Sequence, residues 1–167
     1  MNNNIQECTS SQESALNFLN ELVGSPFRYG LKSKDLYFYD FGFGDWLYRY
    51  IGSEIKQKIT TYAIHAQCEI HVIPRDKLAP EKRDRSRAIG IYSGDTAAKV
   101  FHKDMEKIYN NCIKRIGLSS KNDLWLDLGE YWIVFVTFEN DKESWRFLPL
   151  DDSRPQLIAS AEKLIIR

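Results

Sequence analysis

The chain reads as one α+β domain, an antiparallel β-sheet with an N-terminal helix and one long central helix. Three observations predict it. Apolar residues recur at helical spacing in 13–23 and again in 98–116. They alternate with period two in 62–73 and from 124 onward. The resulting order, helix then sheet then helix then sheet, is that of a segregated α+β domain. At 167 residues, 43% of them hydrophobic, a chain buries roughly 70% of its unfolded surface and holds a core without metal or disulfide staples.

Ser10 followed by Glu13 is a capping box that opens the first helix. Ala15, Phe18, Leu19, Leu22 and Val23 share one of its faces, and Gly24 with Pro26 ends it. A strand is expected over Leu36–Phe41, with a turn or bulge at Gly42 and Gly44. A second is expected over Trp46–Ile51, closed by the turn Gly52-Ser53. A long strand then runs from Ile59 to Ile73. The segment 74–87 has two prolines and interleaved charges of both signs, and reads as a loop. After a short apolar piece, Ala88–Tyr92, Asp95 caps the central helix. Ala98, Phe101, Met105, Ile108, Cys112 and Ile116 form its stripe, and Gly117 follows. Leu124–Leu128 and Tyr131–Phe138 are strands turning at Gly129. Residues 139–142 read as a hairpin loop from which Ser144–Leu148 pairs back. Leu157–Ile166 fits either a short helix or a final strand pair turning near Ala161–Lys163, and the strand pair is favoured because Leu164-Ile165-Ile166 is rich in β-branching.

Composition narrows the function classes. Lys plus Arg equals Asp plus Glu, 23 each, so nothing global attracts nucleic acid or an anionic membrane. No apolar run reaches the ~18–20 residues of a membrane span, and the start Met1-Asn2-Asn3-Asn4 is not a signal peptide. Cys8, Cys68 and Cys112 are odd in number and widely spaced, which suits reduced thiols in the cytoplasm.

Few residues form a chemical constellation. His65, Cys68 and His71 have the look of a metal run, but strand alternation argues against it. Tyr62, Ile64, Ala66, Cys68, Ile70 and Val72 share one face, and His65, Gln67, Glu69 and His71 the other. On one strand the two histidines stand about 20 Å apart, too far for one ion. Neither a metal nor a cofactor is therefore expected. Asp40-Phe41-Gly42 copies a kinase magnesium motif without the glycine-rich loop, strand lysine or catalytic loop a kinase needs. Cys68 and Cys112 fall on apolar stripes, where a thiol is inert. Trp46, Tyr48, Arg49 and Tyr50 mix rings with a cation as single-strand binders do. Without a basic excess, the reading as a sheet core is preferred. Glu139, Asp141, Glu143, Asp151 and Asp152 beside Trp145 form an acidic, turn-rich rim suited to a basic partner.

The residues Phe41-Gly42-Phe43-Gly44-Asp45, Tyr62-Ala63-Ile64-His65-Ala66-Gln67-Cys68 and Trp145-Arg146 resemble, in this order, a group of small bacterial proteins. Some of that group are similar to immunity proteins of polymorphic or contact-dependent toxin systems. The pattern departs after Cys68, where Glu69-Ile70-His71 replaces an expected Pro-Trp-Arg. The resemblance implies a protein that binds a cognate toxin domain and neutralises it by occlusion; the balanced charge and lack of a long apolar run add the expectation of a cytoplasmic protein without nucleic-acid or membrane partners. The alternative is a small enzyme using the polar face His65, Gln67, Glu69 and His71.

Overall fold

A computed structural model describes residues 9–33, 38–53, 55–75 and 88–167, with the side chain of Ile55 excepted. Within it, eleven strands form two antiparallel sheets, and the two helices are short. One sheet has the order β1 (Phe27–Lys32), β2 (Tyr39–Ile51), β3 (Ile55–Ala66), β9 (Trp145–Pro149), β10 (Leu157–Ala159), β11 (Leu164–Ile166). The other has the order β5 (Gly90–Tyr92), β4 (Glu69–Pro74), β8 (Tyr131–Val136), β7 (Leu124–Asp127), β6 (Arg115–Leu118).

The expected long central helix does not form, and the molecule is mostly β rather than a sheet with a dominant helix. Helix α2 covers only Ala98–Glu106, and its N-cap is Ala97, not Asp95. The chain beyond it pairs with the segment entering β1. Asn110 takes a left-handed backbone with φ of 67°, its N–H donates to the Phe27 carbonyl, and the Ile113 N–H donates to the Ser25 carbonyl. Cys112 thus sits in a bridge with Pro26 and Ile116 in β6, although both continue the helical spacing. Helix α1 (Gln12–Leu19) does form, with Ser11 rather than Ser10 as the cap accepting from the Ser14 N–H.

One apolar core fills the space between the sheets. Phe41 and Ile64 from the six-stranded sheet meet Ile70 and Phe135 from the other, and α1 and α2 add Leu19, Phe101 and Met105. Phe41 and Phe135 meet edge to face across the gap, ring centres 5.0 Å apart, a favoured aromatic geometry.

The segment read as one strand over 59–73 changes sheet at Gln67-Cys68. Both N–H groups turn to the Ser144 carbonyl, and β4 continues in the second sheet. The apolar alternation survives the crossing, so Ile64, Ala66, Cys68, Ile70 and Val72 all face the core. The return crossing lies beside it. Ser144 Oγ accepts from the Phe138 N–H, and β9 pairs with β3 and β10 instead of with β8. The expected hairpin over 139–148 is therefore a passage between sheets. The strand pair at 157–166 is as expected, β10 against β11. Cys8 and most of the mixed-charge loop, residues 76–87, lie outside the described residues.

Candidate functional site

Strands β2 and β3 are longer than their neighbours. β1 pairs with β2 only as far as Phe43, and β9 pairs with β3 only from Tyr62 onward. Residues 46–51 and 55–60 pair with each other and, among the described residues, with no further strand. They form a hairpin arm of about 20 Å at the usual strand rise. Its tip is the expected turn, where Gly52 has φ of 71°.

A bulge at the root sets which side chains the arm presents. Gly44 and Asp45 together oppose Thr61. Gly44 has φ of 92°, and a Cβ there would come within 2.9 Å of the Thr61 Cβ, so the position suits glycine alone. Its N–H donates to the Pro26 carbonyl and its carbonyl accepts from Arg28 Nε at 2.7 Å. The inserted residue bends the strand and increases its twist. Phe41 and Phe43 are buried in the core, whereas beyond the bulge Trp46 stacks on Tyr29 and Tyr48 and Tyr50 stand in solvent. Cross-strand register places Lys58 opposite Tyr48, Lys56 opposite Tyr50 and Thr60 opposite Trp46.

The sheet-core reading of Trp46, Tyr48, Arg49 and Tyr50 is therefore corrected. Trp46 is 37% exposed, Leu47 38%, Tyr48 and Tyr50 63% each, and Ile51 52%. Among the described residues these are five of the nine large apolar side chains left in solvent, so the exposed apolar surface is concentrated rather than scattered. Lone exposed apolar residues are ordinary, but a contiguous group marks an interaction surface.

At the foot of the arm, the outer face of the six-stranded sheet holds an open cleft of about 580 Å³ lined by Tyr29, Asp40, Trp46, Lys58, His65 and Arg154, among others. Asp40 sits at its floor. The Tyr29 hydroxyl donates to Asp40 Oδ2 at 3.2 Å, and His65 Nε2 lies 3.3 Å from Oδ1. The His65 ring also leans on Phe38, centres 5.6 Å apart. Burial first, and the Asp40 charge second, push the Tyr29 phenol well above its ordinary range. Tyr29 is thus held as a hydrogen-bond donor, and the cluster can orient a bound polar group through Asp40 and His65.

The polar face predicted for a single strand is divided between two sheets. His65 belongs to this cleft. Glu69 and His71 lie on the outer side of the second sheet, joined at 2.5 Å, with His71 nearly fully buried. They line a separate cleft of about 480 Å³ with Gln67, Ser93 and Glu139. Cys68 is in the core. Among the described residues no cluster of His, Cys, Asp and Glu could hold a metal ion.

The acidic rim is likewise dispersed. Trp145 is fully buried, its indole N–H donating to the Asn122 carbonyl, and it offers nothing to a partner. Asp141 accepts from Lys163 and Ser160, and Glu143 makes two bonds to Arg146. Asp151 accepts from the Ser153 N–H and hydroxyl. Asp152 lies 3.5 Å from Arg49, and Asp151 and Asp152 both border the first cleft. Glu139 is exposed at the mouth of the second.

The strand Trp46–Ile51 and its turn were expected but not their exposure, and the signal for it was Tyr48-Arg49-Tyr50 facing Lys56-Gln57-Lys58 across Gly52, a hairpin without the apolar alternation of a covered strand. Sequence reasoning also missed that Tyr29 and Asp40 would meet His65. Comparison of the chain with protein-family models, with curated proteins and with solved structures finds no match. Among the described residues, no helix is long and apolar enough to cross a membrane.

Proposed function

We propose that the protein is an immunity-type binding protein that neutralises a cognate toxin domain by occlusion, and that it docks through the β2–β3 arm and the cleft at its foot. The observation that carries this reading is the grouping of Trp46, Leu47, Tyr48, Tyr50 and Ile51 in solvent on one projecting hairpin. Aromatic side chains dominate the energetics of protein interfaces. A hairpin held by its own ladder presents them in fixed positions, which lowers the ordering cost of association. The cleft beside the arm would receive whatever the partner projects past the hairpin.

A rescue assay tests the reading. The C-terminal domain encoded immediately upstream is expressed with and without this chain, and the pair is then passed over a sizing column. Killing that this chain reverses, with co-elution, is the expected result. A toxic domain that it neither reverses nor binds would remove the immunity reading.

The second reading, an enzyme, now rests on one cleft rather than on a strand face. The Tyr29–Asp40–His65 cluster is the observation that favours it. It predicts an activity lost in Asp40→Asn with the fold intact.

A further inference from the structure

One face of the arm carries two lysines, three aromatic rings and Thr60, and among the described residues its register places no carboxylate on that face. Both lysines lie over the rings. Lys58 Nζ is 4.2 Å from the centre of the Trp46 ring. Lys56 Nζ is 5.8 Å from that of Tyr48 and 5.7 Å from that of Tyr50. These are cation–π distances. Tyr29 also stacks on Trp46, with an interplanar angle of 22° and centres 5.8 Å apart.

This arrangement decides between two anionic partners. A single-stranded nucleic acid needs open ring faces for its bases, and Trp46 already carries both a stacked ring and an ammonium. Tyr48 and Tyr50 share one ammonium between them. An acidic polypeptide needs no free ring face. Its carboxylates meet ammonium groups that the rings already hold in place, while its aliphatic carbons pack on the ring edges. We infer that the Trp46–Tyr48–Tyr50 face, with Lys56 and Lys58, recognises an acidic protein surface. This rests on the reading of the arm as the docking surface and adds the charge of what docks there. It reverses the polarity expected from the acidic rim, whose carboxylates are largely satisfied within the chain.

The test is a 15N–1H NMR titration of the full chain with poly-L-glutamate, poly-L-lysine and oligothymidylate. Poly-L-glutamate should shift Trp46–Ile51 and Lys56–Thr60, including the Trp46 indole N–H. Lys56→Glu/Lys58→Glu should weaken that binding at least about tenfold and create a response to poly-L-lysine. The same changes confined to the arm in an otherwise unaltered spectrum show that the variant is folded. Comparable shifts with oligothymidylate would overturn the inference in favour of nucleic acid. It also fails if the arm does not respond to poly-L-glutamate, or if the charge reversal leaves binding intact. Loss of binding in Tyr48→Ser/Tyr50→Ser, without loss in the charge reversal, would remove the acidic partner and leave the arm as a docking surface.

Discussion

Lys58 holds its ammonium 4.2 Å from the centre of the Trp46 indole, and Tyr29 stacks on the same indole with centres 5.8 Å apart. The arm is thereby tied to the sheet at its root and open along the rest of its length. Its side chains are placed by the hairpin ladder and the Gly44 bulge, not by burial. Core and arm should therefore respond differently to truncation.

Phe41→Ala removes a fully buried ring that contacts Phe27, Phe101 and Phe135, and should cost about 3–5 kcal/mol of unfolding free energy. Tyr48→Ser and Tyr50→Ser should each stay within about 1 kcal/mol of wild type, losing at most an exposed cation–π contact. Urea denaturation of the three variants checks the contrast. A large loss in Tyr48→Ser would mean that the arm is part of the folding core.

Gly42 lies beneath the Tyr29 ring, and an added Cβ would fall 2.1 Å from a ring carbon. Gly42→Ala must push the ring off the cleft floor, at about 1–3 kcal/mol for overpacking. The Tyr29–Asp40 hydrogen bond should be lost with it, which the tyrosine hydroxyl and ring resonances report.

Several strands were legible in the sequence, but the fold class, two sheets with only short helices, was not. Period-two runs located β3, β4, β7 and β8, and the turns at Gly52 and Gly129 were visible in their glycines. The central helix misled because Cys112 and Ile116 continue a helical stripe, while the backbone of 110–113 is claimed by pairing with residues 25–27. Tertiary hydrogen bonding there overrode local spacing. The sheet switch at Gln67-Cys68 left no mark, since alternation carries through it, and so the His65 and His71 faces looked like one. Trp46, Tyr48 and Tyr50 have the composition of a buried strand. What exposes them is the shortness of β1 and β9, a property of distant segments.

Arg154 clasps the Glu21 carboxylate with two hydrogen bonds, tying the turn after α1 to the loop between β9 and β10. These bonds hold the Glu21 carboxyl below its ordinary value of 4.5. A depressed carboxyl contributes stability that is present above the ordinary value and is lost as pH falls through the folded one. Both partners are about a third exposed, so solvent screening keeps the contribution small. Glu21→Gln should be slightly less stable than wild type near neutral pH. The two should converge in strong acid, as thermal melts across that range would show.

Asp127 is fully buried at the end of β7. Its Oδ1 accepts from the Gly129 N–H at 2.8 Å, and its Oδ2 from Arg115 Nε at 3.2 Å, with Arg75 at 3.6 Å. Asp127→Ala leaves the Gly129 turn without its acceptor and should cost about 2–4 kcal/mol. Asp127→Asn keeps an acceptor for Gly129 and should recover part of that loss. Equal stability of the alanine variant and wild type in denaturant would show that the turn holds without the carboxylate.

The β2–β3 arm is proposed as the surface through which this protein neutralises a partner. Calorimetric titration of the upstream-encoded toxin domain with wild type, Tyr48→Ser/Tyr50→Ser and Asp141→Asn/Glu143→Gln tests it most directly. Wild type and the rim variant should bind alike, and the arm variant should lose at least about a hundredfold in affinity, the loss of two hot-spot aromatics. An arm variant that binds as tightly as wild type, while the rim variant fails, would contradict the account and return the interface to the acidic edge.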